Sequence, residues 1–179
     1  MTDTASQLRK RRDAFRLTSD LMMDLVAGRS TYVVLRSLFA RQADIPDHVQ
    51  TAAARLCLFH AIVSLSKWVE LYDRYKHVIP DEVRDQAKKL RAEVNGRGIV
   101  EFRNKVVGHV WDLDQQRALS NLETEERLQT ITRSDVAAFL DWAGDPEPTA
   151  GGESAALVIE RVRDSIRERY GLTDDDLHR

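Results

Sequence analysis

Residues 48–76 read HVQTAAARLCLFHAIVSLSKWVELYDRYK, and they decide the fold of this 179-residue chain. Apolar residues recur at helical spacing through the whole stretch, and neither Gly nor Pro interrupts it. Pro46 and Asp47 before the stretch favour a helix start, while residues 79–81 (IPD) stop this helix and start the next. The stretch therefore predicts a long, central, buried helix.

Helical patterns also lie on both sides of this central stretch. Residues 5–27 predict a helix that ends or bends at Gly28, and residues 31–42 predict a second helix, although one long kinked helix is an alternative. The second piece contains five apolar residues: Val33, Val34, Leu35, Leu38 and Phe39. Residues 82–95 are thin in apolar content and predict a surface helix that ends at Asn95-Gly96.

The remainder of the chain reads as further helices joined by polar segments. Residues 115–131 predict a connection or a short helix, and Thr132 followed by Asp135 predicts the start of a helix to Trp142. Three segments complete the reading, namely a linker at 144–153 (GDPEPTAGGE), a last helix at 154–170 and an acidic, frayed tail at 173–179. Because no strand pattern stands out, we predict an all-α, single-domain helical bundle of five to seven helices.

Composition limits the classes of function. The 27 basic and 29 acidic residues give a net charge of −2, so the basic footprint of a tight, non-specific nucleic-acid binder is absent over the whole chain. No apolar run approaches the ~18 residues of a membrane-spanning helix. The basic start of the chain lacks the apolar region of a secretory signal, and a single cysteine excludes an intrachain disulfide. We therefore expect a cytoplasmic protein without membrane contact.

Residues 102–112 read FRNKVVGHVWD and form what we call the signature segment. It places Arg103, Asn104, Lys105 and His109 in an otherwise apolar stretch, which we predict to be a helix from Ile99 to about Asp114. Such polar groups are either buried and hydrogen-bonded, or they line a cleft or a subunit contact.

The signature segment resembles that of the HEPN superfamily (higher eukaryote and prokaryote nucleotide-binding domains). That family's motif is an Arg, commonly followed by a polar residue, with a His four to six residues further on. Here Arg103 is followed by Asn104, and five residues separate Arg103 from His109. The local pattern is most similar to the abortive-infection and toxin–antitoxin branch. The resemblance covers about residues 47–114, so a HEPN-like bundle would occupy 1–143, with 144–153 as linker and 154–179 packing on the same domain.

This resemblance implies a metal-independent endoribonuclease that acts as a toxin or phage-defence effector, with RNA as substrate and an antitoxin as a possible partner. Arg103, His109 and Asn104 would be catalytic, and Lys105 would bind substrate. An imidazole can move a proton near neutral pH, and a guanidinium can stabilise charge on phosphate oxygens. Because the substrate's own 2′-OH attacks, we expect neither a metal nor a cofactor.

On a straight helix Arg103 and His109 lie about 120° apart, so one copy of the helix does not bring them together. A homodimer through the signature helix would, and HEPN domains commonly form one composite site in this way. Two alternatives remain open at this point. Arg103 could pair with Glu101 or Asp112 while His109 bonds a core carbonyl, or the chain could be a non-catalytic HEPN-like interaction module.

Three other features favour ordinary structural roles. His60 lies in the apolar stretch and is predicted to be a hydrogen-bonded core residue rather than a functional one. Cys57 has apolar neighbours that would raise its pKa, so it is predicted to be a small core residue and not a nucleophile. The basic cluster at residues 9–12 is predicted to be a solvated helix face rather than a phosphate contact.

Overall fold

A computed structural model describes residues 5–42, 44–107, 111–112, 117–118, 120–148 and 152–177. The predicted fold class is confirmed, since the described residues form a single-domain helical bundle with seven α-helices. The helices and strands, in chain order, are α1 Ala5–Arg41, α2 Asp47–Tyr75, α3 Asp81–Gly96, α4 Ile99–Phe102, a π-helical turn Arg103–Val107, β1 Trp111–Asp112, β2 Arg117–Ala118, α5 Asn121–Thr132, α6 Val136–Gly144, α7 Ala155–Tyr170 and a 3₁₀ turn Asp174–Leu177.

The predicted central helix is α2, and it differs from the prediction by one residue at each end. Its residues Ile62, Leu65 and Trp68 are completely buried, and α1, α3, α4 and α6 all contact it. The last helix, α7, packs against α1, α3 and α6. Among the described helices, α2 alone is long and apolar enough to cross a bilayer, a property that core helices of bundles share.

The first helix runs unbroken from Ala5 to Arg41, so the predicted end at Gly28 is wrong and the alternative of one long helix is right. Gly28 lies where α1 meets α2. A Cβ atom at this position would come within 2.8 Å of Cδ2 of His60, so the glycine makes room for that side chain. Helix contacts on both sides of Gly28 outweigh its intrinsic cost of about 1 kcal/mol in a helix interior.

The predicted helix from Ile99 to about Asp114 is wrong in its second half. The described helical conformation reaches Val107 in the π turn, and Trp111–Asp112 pairs antiparallel with Arg117–Ala118. The sequence reading predicted no strand at all. Aromatic residues such as tryptophan favour extended backbone, and this preference accounts for the strand at Trp111–Asp112.

Two predictions in the C-terminal third are also corrected. Thr132 ends α5 instead of starting α6, and its hydroxyl donates to the carbonyl of Leu128 at 2.9 Å. Asp135 is the residue that caps α6. The described tail is not frayed, because Asp176 is buried, accepts a hydrogen bond from the Thr173 amide and pairs with Arg12 at 2.8 Å.

Arg97 joins α3 to α5 and α6 just before the signature segment. Its side chain is 10% exposed, and it donates to Glu93 at 2.8 Å and to the carbonyl of Ile131 at 3.1 Å. The guanidinium also lies 4.1 Å from the ring centre of Trp142, in cation–π geometry. These contacts fix the end of α3, from which the chain enters α4.

Candidate functional site

The signature segment begins as a short helix anchored to α2. Gly98 has a φ of +74°, a left-handed conformation that glycine adopts without strain, and it turns the chain from α3 into α4. Phe102 is buried and its ring centre lies 6.1 Å from that of Phe59 on α2. With Phe102 held in the core, the following residues Arg103 and Asn104 lie at the surface.

Residues 103–107 continue α4 as a π-helical turn. A π turn hydrogen-bonds across five residues instead of four, is rare and is found frequently at functional sites. It also shifts the angular positions of the side chains that follow. The 120° separation expected for Arg103 and His109 on a regular helix therefore does not apply to this segment.

Arg103 is both partnered and reachable by solvent. Its Nη1 donates to Oδ1 of Asn104 at 2.9 Å, and its Nη2 lies 3.1 Å from Oε1 of Glu70 on α2. The Arg103 side chain is 33% exposed and that of Glu70 is 62% exposed. The sequence alternatives for its partner were Glu101 and Asp112, whereas the acidic partner found is Glu70. Arg103 and Asn104 are thus a surface pair and not a buried one.

Lys105 belongs to a second ion cluster on the same turn. Its Nζ lies 3.3 Å from Oε1 of Glu101, one helical turn earlier, and its side chain is 22% exposed. Arg127 of α5 approaches the same Glu101 oxygen at 3.3 Å. The cluster places two cations around one carboxylate and ties α5 to the signature segment.

His109 lies outside the described residues, together with Gly108 and Val110. The structure therefore brings Arg103 and Asn104 together and places Lys105 on the same turn. The predicted roles of His109 and its approach to Arg103 stay predictions.

A groove of about 750 Å³ between α1 and α2 adjoins Arg103 through the shared residue Glu70. Its floor is apolar, and its charged lining consists of Asp20, Asp24, Glu70 and Asp73 with Lys67 and Arg74. Four carboxylates against two cations disfavour a polyanion in this groove. A phosphate that binds Arg103 has to approach from outside the groove and compete with Glu70.

Sequence reasoning missed Glu70, the acidic partner of Arg103, and named Glu101 only as an alternative partner of Arg103, whereas Glu101 pairs with Lys105 and Arg127. No motif marks either residue, and Glu70 is 33 positions from its partner in the chain. The one available signal for Glu70 is its place as a carboxylate within the apolar run of α2. Among the described residues, no group of three or more His, Cys, Asp or Glu side chains is arranged to hold a metal ion.

His60 is hydrogen-bonded as predicted, but it is not a core residue. Its Nε2 lies 2.9 Å from the carbonyl oxygen of Asp24, and the residue is exposed at the edge of the α1–α2 contact. The prediction of burial was wrong because His60 occupies the rim of α2, facing Gly28 across the helix pair.

Cys57 is buried, as predicted, and burial raises the pKa of its thiol. We expect a thiolate-selective reagent to modify native Cys57 at least ~10-fold more slowly than the same residue in urea, because only the exposed thiolate reacts. Since the folded pKa is raised, the neutral thiol stabilises the fold below the unfolded pKa, and this contribution is lost as pH rises through the folded pKa. Labelling rates at pH 7–10, with Cys57→Ser as blank, would measure this. Equal native and urea rates would contradict it.

No protein-family model matches the chain, and no curated protein matches its sequence. One solved structure is similar, namely the integron cassette protein Vpc_cass2 from the mobile metagenome of V. paracholerae. The TM-score is 0.67 with 23% sequence identity, over 93% of this chain and 99% of that protein. At this identity the likeness shows a shared fold and nothing about activity.

Proposed function

We propose that this protein is a metal-independent RNA endonuclease of the HEPN type, a cytoplasmic toxin or phage-defence effector that acts as a homodimer. The observation that carries the proposal is the position of Arg103 and Asn104. They form a hydrogen-bonded pair on a solvent-reachable π turn at the end of α4, and not in the core. A core role for these residues would have removed the main support for the proposal.

In the proposed reaction the 2′-hydroxyl of the RNA attacks the adjacent phosphorus and the 5′-oxygen leaves. His109 takes the proton of the attacking 2′-hydroxyl and supplies a proton to the leaving 5′-oxygen. The Arg103 guanidinium holds the phosphate and stabilises its developing charge. Asn104 orients Arg103 through the 2.9 Å hydrogen bond between them. Lys105 contributes positive charge on the same turn. The products are a 2′,3′-cyclic phosphate and a 5′-hydroxyl end.

A second candidate function is a non-catalytic helical interaction module, and the charge distribution favours it. Glu70 already pairs with Arg103, and the adjoining groove carries four carboxylates and two cations. Both features oppose RNA binding at this surface. In this reading the signature segment contributes to self-association or to partner binding without chemistry.

The experiment is incubation of the purified protein with total cellular RNA, including tRNA, in EDTA, beside the His109→Ala variant. We expect cleavage that persists in EDTA, leaves 2′,3′-cyclic phosphate ends and is abolished in His109→Ala. Circular dichroism and light scattering should show the same fold and mass for both proteins. Full activity of His109→Ala would overturn the assigned mechanism, and intact RNA after incubation with folded wild-type protein would favour the interaction module.

A further inference from the structure

The bundle has an extension that its core does not cover. The last buried residue of α1 is Gly28, and the first buried residue of α2 is Cys57. Residues 29–41 and 44–56 therefore contain no fully buried residue and form the two limbs of a hairpin, which we call the arm. Its base contacts the bundle through Tyr32, Leu35 and the ion pair between Arg55 and Glu125. Thirteen residues of helix make the α1 limb about 20 Å long.

The arm carries most of the exposed apolar surface of the described chain. Among the described residues, seven large apolar side chains are exposed. Five of them belong to the arm and are between 42% and 71% exposed: Val33, Val34, Leu38, Val49 and Leu56. Single exposed apolar residues are ordinary, whereas several on one helix face are typical of an interaction surface, and here Val34 and Leu38 share a face of α1 while Val49 and Leu56 share a face of α2.

The apolar residues of the arm form seams suited to helix packing. On the α1 limb an apolar arc of about 160° runs from Val34 to Tyr32, which is wider than the ~100° stripe of a helix that packs on one side. Val33 lies outside this arc, about 100° from each of its edges. One edge of this arc lines a groove of about 420 Å³ between the limbs, and the other edge is exposed. On the α2 limb Val49, Ala53 and Leu56 follow the i, i+4, i+7 spacing of a coiled-coil seam.

The charges differ between the two limbs. Residues 29–41 contain three arginines and no acidic residue, whereas residues 44–56 contain Asp44, Asp47 and one basic residue, Arg55, which pairs with Glu125 of α5. Arg29 pairs with Asp141 and Asp145 of the bundle. The other four charges have no ion pair in the described part of the chain: Arg36, Arg41, Asp44 and Asp47.

We propose that the arm binds the arm of a second copy of this chain, in a four-helix bundle with two-fold symmetry. With a two-fold axis, the basic α1 limb of each copy lies against the acidic α2 limb of the other, so the same contact forms twice. The exposed apolar seams then meet at the centre, as in other antiparallel bundles. The arm is its own complement in both charge and hydrophobicity.

The size of the arm sets the strength of this contact. Two limbs about 20 Å long present less than the ~800 Å² per partner of a standard interface, so the association belongs to the weak, reversible class. Leu56 and Glu70 are 14 residues apart on α2, about 21 Å along the helix. The arm contact therefore leaves the surface around Arg103 open, and the inference stands whether or not the chain cleaves RNA.

The first test is the mass of the protein in solution, by light scattering from about 5 to 200 µM. We expect Val34→Glu/Leu38→Glu to halve the mass of the wild-type assembly, from tetramer to dimer if the signature segments also pair and from dimer to monomer if they do not. Leu122→Glu is the matched control, since Leu122 is 69% exposed but lies on α5, outside the arm. The same mass for the arm variant and the wild type would overturn the proposal.

The second test exchanges the charges of the limbs. Arg36→Glu/Arg41→Glu makes all four of these unpaired charges acidic and Asp44→Arg/Asp47→Arg makes all four basic, so each variant should self-associate at least ~10-fold more weakly. An equimolar mixture of the two should assemble again, as a heteromer. Folded variants that fail to assemble when mixed would overturn the proposed pairing. The mass is measured without RNA, so a failure of the RNase proposal leaves this result unaffected.

Discussion

Replacing Arg103 with alanine is expected to lower the rate of RNA cleavage by at least ~100-fold, the effect of removing one donor to a developing oxyanion. The same change should alter the free energy of unfolding by less than about 1 kcal/mol, because an exposed ion pair such as Arg103–Glu70 contributes little. Loss of activity without loss of stability is what distinguishes a functional arginine from a structural one. Cleavage rates in EDTA and urea unfolding curves measure the two quantities.

Two matched variants make this prediction specific. Arg74→Ala removes an exposed arginine of the same groove that does not touch the signature segment, and it should retain activity. Arg103→Lys keeps the charge but loses the planar fork that holds two phosphate oxygens, so it should stay well below wild type. If the Arg103→Ala protein is as active as the Arg74→Ala control, Arg103 has no role in cleavage and only pairs with Glu70.

The helices that could be predicted from the sequence have strong apolar periodicity and clear terminal residues. Residues 48–76 were predicted and Asp47–Tyr75 is observed, and residues 82–95 correspond to Asp81–Gly96. Pro46 and Pro80 precede these two helices and occupy their N-cap positions without a side-chain cap hydrogen bond. At these ends the local chemistry and the tertiary packing agree, which is why a sequence pattern suffices.

Prediction failed where tertiary contacts overruled a local preference. Gly28 reads as a helix end, but α1 continues through it because α2 packs against both sides of that position. In the signature segment helical spacing was given more weight than the extended preference of Val and Trp, and Trp111–Asp112 is a strand. Short apolar runs carry both signals, and only the packed structure decides between them.

The candidate site could likewise be predicted only in part. The segment that carries Arg103, Asn104 and Lys105 could be identified from the sequence, because polar side chains in an apolar stretch require an explanation. Their partners could not, since Glu70 reaches Arg103 through the packing of α4 on α2. The exposure of the arm could not be predicted either, since the helical spacing of Val34 and Leu38 does not reveal that both side chains face solvent.

The close approach of α6 to α1 depends on Gly144, and Gly144→Ala is expected to destabilise the protein by about 3 kcal/mol, the upper end of overpacking effects. A Cβ atom at this position would collide with the carbonyl oxygen of Leu25 and lie 2.9 Å from Cβ of Arg29. The obstacle on Leu25 is backbone, so a rotamer change cannot relieve it. For a chain of this length such a loss lowers the melting temperature by roughly 6–12 °C.

Gly96→Ala is the matched control for this prediction. Gly96 also ends a helix, but no atom lies within 4 Å of the position a Cβ would take there, so alanine should be neutral or slightly stabilising. Thermal unfolding of both variants separates the steric effect at the α1–α6 contact from the general effect of removing a glycine. If Gly144→Ala and Gly96→Ala have the same melting temperature, α6 must be able to move away from α1 at little cost in free energy. The Arg29 pairs with Asp141 and Asp145 would then be too weak to hold the base of the arm in place.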